Sequence, residues 1–262
     1  MNKVKKVLLA VFMCICGAVF LYSGYRVADA LIAYKKADDF YSDLSERYIS
    51  RRSPESTGVP TSESFTDESD GSEDSVGIDF ARLVSDYPDI VGWLRCDGTV
   101  MDYPVVKYSD NDYYLRRDLN GQYLVTGTIF ADFRCTRAGE DICYMIFGHN
   151  MNNGTIFGML KNFCDPGYLA KHPTYTYLTP NGDIKVEVLA AAETTTDDPI
   201  YNIGSGDGEA AERIRVLCAS AGYEMTVSDD DRFVVLSTCV DDNSNRRLLL
   251  IGRVTKAGDT VE

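Results

Sequence analysis

Histidine is nearly absent from this sequence, which has only His149 and His172 among 262 residues. The cysteines form no CxxC pair and do not cluster with histidine, so the spacing of a zinc site is missing and we expect no metal. Histidine is also the side chain that titrates near neutral pH. A mechanism that needs such a base therefore has two candidates.

Positive charge is scarce as well, because 26 Lys and Arg stand against 40 Asp and Glu, for a net charge of -14. No broad basic face is available to neutralise phosphates, so we expect no nucleic acid partner. The hydrophobic content of 45% fits a globular core, which excludes a wholly disordered chain. The excess of acid fits an exported domain that its charge keeps soluble.

The longest apolar run, VLLAVFMCICGAVFLYSGY at residues 7 to 25, follows three lysines within the first six residues. As a helix it spans about 28 Å, close to one hydrocarbon core. We predict a cytoplasmic tail at 1–6, a transmembrane signal anchor at 7–25 and a single-pass protein of the cell membrane with its larger part extracellular. A cleaved signal peptide is the alternative, although the run is long for one and no small-x-small site ends it cleanly.

Residues 26–75 are predicted to be a juxtamembrane helix followed by an acidic, Ser-rich tether. The tether, SPESTGVPTSESFTDESDGSEDS at 53 to 75, has seven acidic residues, no basic ones and one aromatic residue. Such a composition buries too little apolar surface to offset the entropy of ordering. The folded domain is then predicted at 76–262.

Within this domain, eight short β-branched or aromatic runs are bounded by Gly, Asn, Asp or Pro, which predicts a mostly β fold closed into a barrel. Helical patterns are fewer and peripheral. They occur in IDFARLVSDY, NDYYLRRDL, TIFGMLKNF and GEAAERIRVLCASAGY.

One cysteine, Cys239, ends an apolar run, RFVVLSTC, and Arg247 opens the next, RLLLIGRV. If the two runs pair as antiparallel strands, a thiol and a guanidinium come together, which is what a thiolate nucleophile needs. A strand-end thiol followed by solvent-facing arginines remains the alternative on these residues alone. His149 ends a strand-like run and enters a Gly and Asn-rich turn, whereas His172 lies before Pro in a predicted loop.

Five ordered motifs resemble the sortase family, class B. They are VGWLRCDGTVMDYPVV, DNDYYLRRDLNGQY, GTIFADFR, FGHNMNNGTIFGML, and LSTC followed by RLLLIGRV, and together they cover about residues 79 to 255. The resemblance implies an eight-stranded sortase-type barrel with N-terminal helices and a helix before the Cys-bearing strand. It places the nucleophile on Cys239, the catalytic histidine on His149 and the arginine on Arg247, with Arg246 as its rival. It also implies that Ser237 and Thr238 contact substrate, whereas Asp241 is read as a solvated acid rather than a catalytic helper.

The activity that the resemblance implies is a transpeptidation without cofactor. The enzyme would cleave a C-terminal sorting signal of an exported protein, NPxTN-like or xPxTG-like, through a Cys thioester. It would then transfer that protein to an amine of a peptidoglycan precursor or cross-bridge. A sortase that polymerises pilins with a Lys amine and a catalytically inert, membrane-tethered binding domain are the alternatives. A papain-type protease is disfavoured because its Cys precedes its His in the chain.

Overall fold

The computed structural model describes residues 3–50, 77–202, 207–228, 230–241 and 244–255, so the acidic tether predicted at 53–75 lies outside the described residues. The first element, helix α1, runs from Lys3 to Tyr48 and covers both the predicted span and the predicted juxtamembrane helix. By length and composition alone, α1 is able to cross a membrane.

A closed β-barrel of eight strands forms the body of the protein, and the predicted fold class is confirmed. The strands are β3 (Ile90–Arg95), β4 (Asp102–Val106), β5 (Phe130–Ala131), β6 (Cys143–Phe147), β7 (Thr174–Leu178), β8 (Ile184–Thr195), β9 (Phe233–Cys239) and β10 (Arg246–Val254). Their order around the barrel is β10-β8-β7-β3-β4-β5-β6-β9, with parallel pairing only for β4–β5 and β6–β9 among the strands described. Each of the eight predicted runs contributes one strand.

Strand β9 lies between β6 and β10, and six of its seven residues are buried. Its sequence FVVLSTC is accordingly an almost continuous apolar run, as expected of a strand that is covered on both faces. Only its last residue, Cys239, is partly exposed. The strand therefore delivers one thiol from the core to the rim of the barrel.

The helices lie around the barrel: α2 (Phe80–Asp86), α3 (Pro166–Lys171) and α4 (Asp207–Ser220), the last one preceding the Cys-bearing strand as predicted. Short 3-10 turns occur at Tyr113–Arg116, Leu160–Cys164 and Pro199–Tyr201. The helix expected in TIFGMLKNF is wrong over residues 155 to 159. There the φ of Ile156 is 54°, and Gly158 packs so closely on Met151 that a Cβ would lie 2.1 Å from the Met151 carbonyl oxygen.

The C-terminal part of α1 belongs to the packed core, since Ala37, Tyr41, Leu44 and Tyr48 are all buried. Directly after α1, strand β1 (Ile49–Ser50) pairs antiparallel with strand β2 (Gly77–Ile78), and Ser50 is opposite Gly77. Asp79 N donates to Tyr48 O at 2.9 Å and extends this junction. The barrel is thus joined to α1 by side-chain packing and by backbone hydrogen bonds.

Candidate active site

Three neighbouring strands bring Cys239, His149 and Arg247 to one rim of the barrel. Cys239 is opposite Arg247 in the antiparallel pair β9–β10. On the other side, the parallel pair β6–β9 places Phe147 beside Ser237, and His149 and Cys239 each lie two residues beyond that pair. The strand that carries the thiol is therefore flanked by the strand leading to the imidazole and by the strand bearing the guanidinium.

These three residues line one open cavity of about 340 Å³. All three side chains are partly buried, which keeps them in contact with both the protein and the solvent. The other lining residues are Asn111, Leu115, Phe130, Phe147, Gly148, Thr196, Tyr201, Ser237 and Thr238. The cavity is mostly apolar, with a few convergent polar groups, which is typical of a ligand site.

His149 is fixed at the end of β6 by contacts of both its ring and its backbone. Its Nε2 lies 2.7 Å from the Leu115 carbonyl oxygen. The turn that follows is anchored to the nucleophile strand, because Asn150 Nδ2 donates to Val240 O at 3.1 Å. Within that turn, Phe157 N donates to His149 O at 3.1 Å. The histidine and the cysteine are thus held by one connected set of hydrogen bonds.

The two adjacent arginines have different surroundings. Arg246 forms an ion pair with Glu193 across β10–β8 and is exposed. Arg247 points to the other face of the strand, lines the cavity and donates through Nη1 to Arg246 O at 2.9 Å. The register and the cavity thus favour Arg247 over Arg246 for the catalytic arginine, which stays a prediction.

Ser237 and Thr238 line the cavity floor, but both side chains are buried and already hydrogen-bonded within the protein. Thr238 Oγ1 donates to Gly148 O at 2.7 Å and so ties β9 to the residue before His149. Ser237 Oγ lies 2.8 Å from the Tyr201 hydroxyl. Their contact with substrate stays a prediction, and the structure adds a role in joining the walls of the site.

Tyr201 is a cavity residue that the sequence did not reveal. It ends a 3-10 turn capped by Asp198, whose Oδ1 accepts from Ile200 N at 2.9 Å. Burial raises the pKa of Tyr201 to about 12, although the hydrogen bond with Ser237 acts in the opposite direction. The phenol therefore stays neutral. The local sequence DDP contains an N-cap residue followed by Pro. It indicates that a turn begins there, but it does not indicate that the turn lies at the site.

The same turn is held by an ion pair between the buried Asp198 and the half-buried Arg213 of α4, with Arg213 Nε 2.7 Å from Asp198 Oδ1. Burial alone would raise the pKa of Asp198, but hydrogen bonds from Arg213 and Thr194 outweigh it and lower that pKa. The carboxylate is therefore ionised at neutral pH. Helix α4 thus supports the cavity wall that carries Tyr201.

The remaining candidate groups lie elsewhere or are closed to reaction. His172 ends α3 and places Nδ1 3.1 Å from Asp97 O. Burial raises the pKa of the Cys135 thiol to about 12 and that of Cys143 further still. Asp241 is exposed and accepts from Ser244 Oγ at 2.8 Å. Over the described ranges, three or more His, Cys, Asp or Glu side chains nowhere gather in a way that could hold a metal ion.

A partly exposed thiol, an imidazole and a guanidinium are the groups that nucleophilic acyl transfer uses. The thiol can attack a carbonyl carbon, the imidazole can move the proton, and the guanidinium can donate hydrogen bonds to the oxyanion. Each of these groups comes from a different element of one rigid barrel. Such a support keeps them in register.

Comparison with known proteins gives one consistent family. No family model matches the chain. A Sortase B of Listeria monocytogenes is 31% identical over 246 residues, which cover 91% of this chain and 93% of that protein. Sortase B from Bacillus anthracis in complex with AAEK1 superposes with a TM-score of 0.68 at 25% identity, covering 87% of this chain and 100% of that one. A sortase B complexed with triglycine gives a TM-score of 0.62 at 26% identity over 68% and 86% of the two chains.

Thus the order of motifs, the eight-stranded barrel and the relatives lead to one conclusion. The chain belongs to the class B sortases and is a cysteine transpeptidase.

Proposed function

We propose that this enzyme is anchored in the cell membrane, cleaves a C-terminal sorting signal of exported proteins and transfers them to a peptidoglycan amine. The observation that carries the proposal is the placement of Cys239 between His149 and Arg247 around one cavity. Cys239 is the nucleophile, His149 the acid and base, and Arg247 the oxyanion donor. A half-buried cavity of this size accommodates a short extended peptide rather than a folded domain.

In the first step, the Cys239 thiolate attacks the carbonyl carbon of the scissile peptide bond of the signal. Arg247 donates hydrogen bonds to the oxygen on which negative charge develops. The C–N bond then breaks as the His149 imidazolium gives its proton to the departing amine, which leaves a thioester on Cys239. The neutral imidazole that remains is the base required next.

In the second step, an amine attacks the thioester carbon and loses a proton to His149 while the Cys239 thiolate leaves. A new amide bond replaces the thioester, and no oxidant, reductant or metal enters the balance. A sortase B relative has been solved with triglycine, whose terminal amine is a model of such a nucleophile. This supports a cell-wall peptide amine rather than a Lys side chain as the acceptor.

Helix α1 supports the anchored placement. Its apolar side chains between residues 11 and 25 are exposed in the isolated chain, as expected of a helix that lipid covers. Lys3, Lys5 and Lys6 precede the apolar stretch and favour a cytoplasmic N-terminus. The catalytic barrel is then extracellular, next to exported proteins whose apolar tails are still in the membrane.

The test uses the full chain in detergent micelles with a panel of NPxTN-like and xPxTG-like peptides, together with triglycine or a lysine-bearing peptide as the acceptor. Mass spectrometry is expected to find a thioester on Cys239 and, with triglycine, a new amide product. Cys239→Ala should give neither. The matched control is Cys164→Ala, because Cys164 is exposed and ends a separate 3-10 turn. If no peptide of the panel acylates Cys239, the proposal is wrong, and products with the lysine peptide alone would favour pilin polymerisation.

A further inference from the structure

The contact between His149 and Leu115 determines which ring nitrogen can act. Nε2 lies 2.7 Å from the Leu115 carbonyl oxygen, and a carbonyl oxygen only accepts hydrogen bonds. The contact therefore requires a proton on Nε2. In the neutral ring, Nδ1 is then the nitrogen that takes up a proton. The position of the Leu115 carbonyl thus selects the tautomer of His149.

The Leu115 carbonyl is itself positioned by the segment at residues 124 to 128. Thr128 N donates to the adjacent Tyr114 O at 3.0 Å. Gly127 has a φ of +56° and packs so closely that a Cβ there would lie 2.4 Å from the Leu115 carbonyl oxygen. Only glycine allows this approach. The backbone at Gly127 is therefore the support directly behind the carbonyl that holds His149.

Helix α1 reaches this support through Tyr41. The Tyr41 hydroxyl donates to Gly127 O at 2.7 Å, and the ring is buried in the core. Burial raises the pKa of Tyr41 well above its usual value, so that its hydroxyl remains a donor over the working pH range. Gly127 O also accepts from Thr126 Oγ1 at 3.2 Å, so the Tyr41 contact is the shorter of two hydrogen bonds to this carbonyl. The chain of contacts thus runs from α1 through Gly127 and Leu115 to His149.

Tyr41 also reaches the backbone that carries His149. Its ring packs edge-on against Tyr103, with centroids 5.2 Å apart. The Tyr103 hydroxyl accepts from Ile156 N at 3.2 Å, and Ile156 pairs with Asn150 across the turn that follows His149. One side chain of α1 therefore supports both the partner of the imidazole and the turn next to it.

We propose that Tyr41 is a positioning residue for His149, so that docking of the membrane-proximal helix completes the active site of the barrel. This rests on the proposed role of His149 as acid and base. Tyr41 does not touch the cavity and acts only through Gly127, Leu115 and Tyr103. A chain without the Tyr41 hydroxyl would no longer hold the imidazole in a single tautomer.

The test compares Tyr41→Phe with the wild type as full chains in micelles, without a histidine tag. We expect kcat to fall about 3- to 10-fold, the range of one lost hydrogen bond, while KM stays the same. Because the chain has only two histidines, ¹⁵N-histidine NMR resolves the His149 tautomer directly. The Nε2-protonated form should dominate in the wild type, and a mixture should appear in the variant. Gly127→Ala, which pushes on the Leu115 carbonyl, should have the same effect.

The matched control is Tyr48→Phe. Tyr48 lies on the same helix and its hydroxyl donates to Asp86 Oδ2 at 2.6 Å, away from His149. It should keep the wild-type kcat and tautomer. If Tyr41→Phe has the same kcat and the same His149 tautomer as Tyr48→Phe, Tyr41 does not position His149. A thioester on Cys239 in the same experiment would still support the transpeptidase function. A wild type that forms no thioester would instead contradict the proposed function, and the NMR comparison would still decide the role of Tyr41.

Discussion

Cys239 and Arg247 lie directly opposite each other in the antiparallel pair β9–β10, whereas Arg246 faces away and pairs with Glu193. Of these two consecutive residues of β10, Arg247 thus lines the cavity and Arg246 lies on the surface. This contrast gives a matched pair of variants for the first prediction.

Arg247→Gln is expected to lower kcat about 100- to 1,000-fold, because it removes a charged donor from the developing oxyanion. Arg246→Gln should retain nearly wild-type kcat, since it breaks only an exposed ion pair. Steady-state kinetics on the best peptide of the panel measure both values. Equal losses in the two variants would contradict the assignment of Arg247.

Removing Arg213 from its ion pair with the buried Asp198 should destabilise the fold in a pH-dependent way. Arg213→Gln leaves the ionised Asp198 buried without its cation, which we expect to cost about 3 kcal/mol of the free energy of unfolding at pH 7. The folded pKa of Asp198 is lowered, so its contribution is complete above the unfolded pKa of about 3.9 and is lost as the pH falls through the folded value. Wild type and variant should therefore converge at acid pH.

Urea unfolding at pH 7, 4 and 3 measures this convergence. Arg215→Gln is the control, since Arg215 lies on the same helix in an exposed pair with Glu212 and should change the unfolding free energy little at any of the three pH values. If the unfolding free energies of wild type and Arg213→Gln differ as much at pH 3 as at pH 7, ionisation of Asp198 is not the source of the difference.

Gly158→Ala should disrupt the turn that follows His149. The new Cβ would lie 2.1 Å from Met151 O, a backbone atom that cannot move without the turn. We expect about 1 to 3 kcal/mol of destabilisation, with a loss of activity, because the His149 backbone accepts from this turn. Gly154→Asn is the control, since its site has a φ of +80° with open space around it, and Asn tolerates that conformation. Thermal unfolding and kinetics of both variants test the difference.

Alkylation of the native chain should separate the cysteines. Iodoacetamide at pH 8 is expected to modify the partly exposed Cys239 and the exposed Cys164 while leaving Cys135 and Cys143 unmodified. Burial raises the thiol pKa of Cys135, Cys143 and Cys164, and reaction requires the thiolate, but only Cys164 of these three is exposed to the reagent. Peptide mass mapping before and after unfolding in urea gives the readout. Modification of Cys143 in the folded chain would contradict the prediction that the core is closed to the reagent.

The eight strands could be predicted because each is a short β-branched run closed by turn residues. The pairing of Cys239 with Arg247 could be predicted too, since a short loop joins two consecutive strands and makes them antiparallel neighbours. His149 is different. The parallel pair β6–β9 joins residues about 90 positions apart, and only the resemblance to sortases connected them before the fold was known.

Leu115 and Tyr201 could not be predicted, because both come from loops in which no local pattern marks a catalytic neighbour. The support of the imidazole by Leu115 uses a backbone oxygen, which every residue carries, so no residue type reveals it. The failed helix at residues 155 to 159 has a similar cause. The tight contact between Gly158 and Met151 is a tertiary interaction that overrides helical propensity.

The pairing of Ser50 with Gly77 brings together the two ends that flank residues 51 to 76. The length of this segment does not set the distance between α1 and the barrel, because the strands on either side of the segment are already joined. In the proposed membrane-anchored enzyme, the distance from the lipid to the thiol is therefore set by the helix, at about 1.5 Å per residue, like the length of a fixed stalk. Lengthening or deleting residues 53–75 would not change how far above the membrane that enzyme can reach.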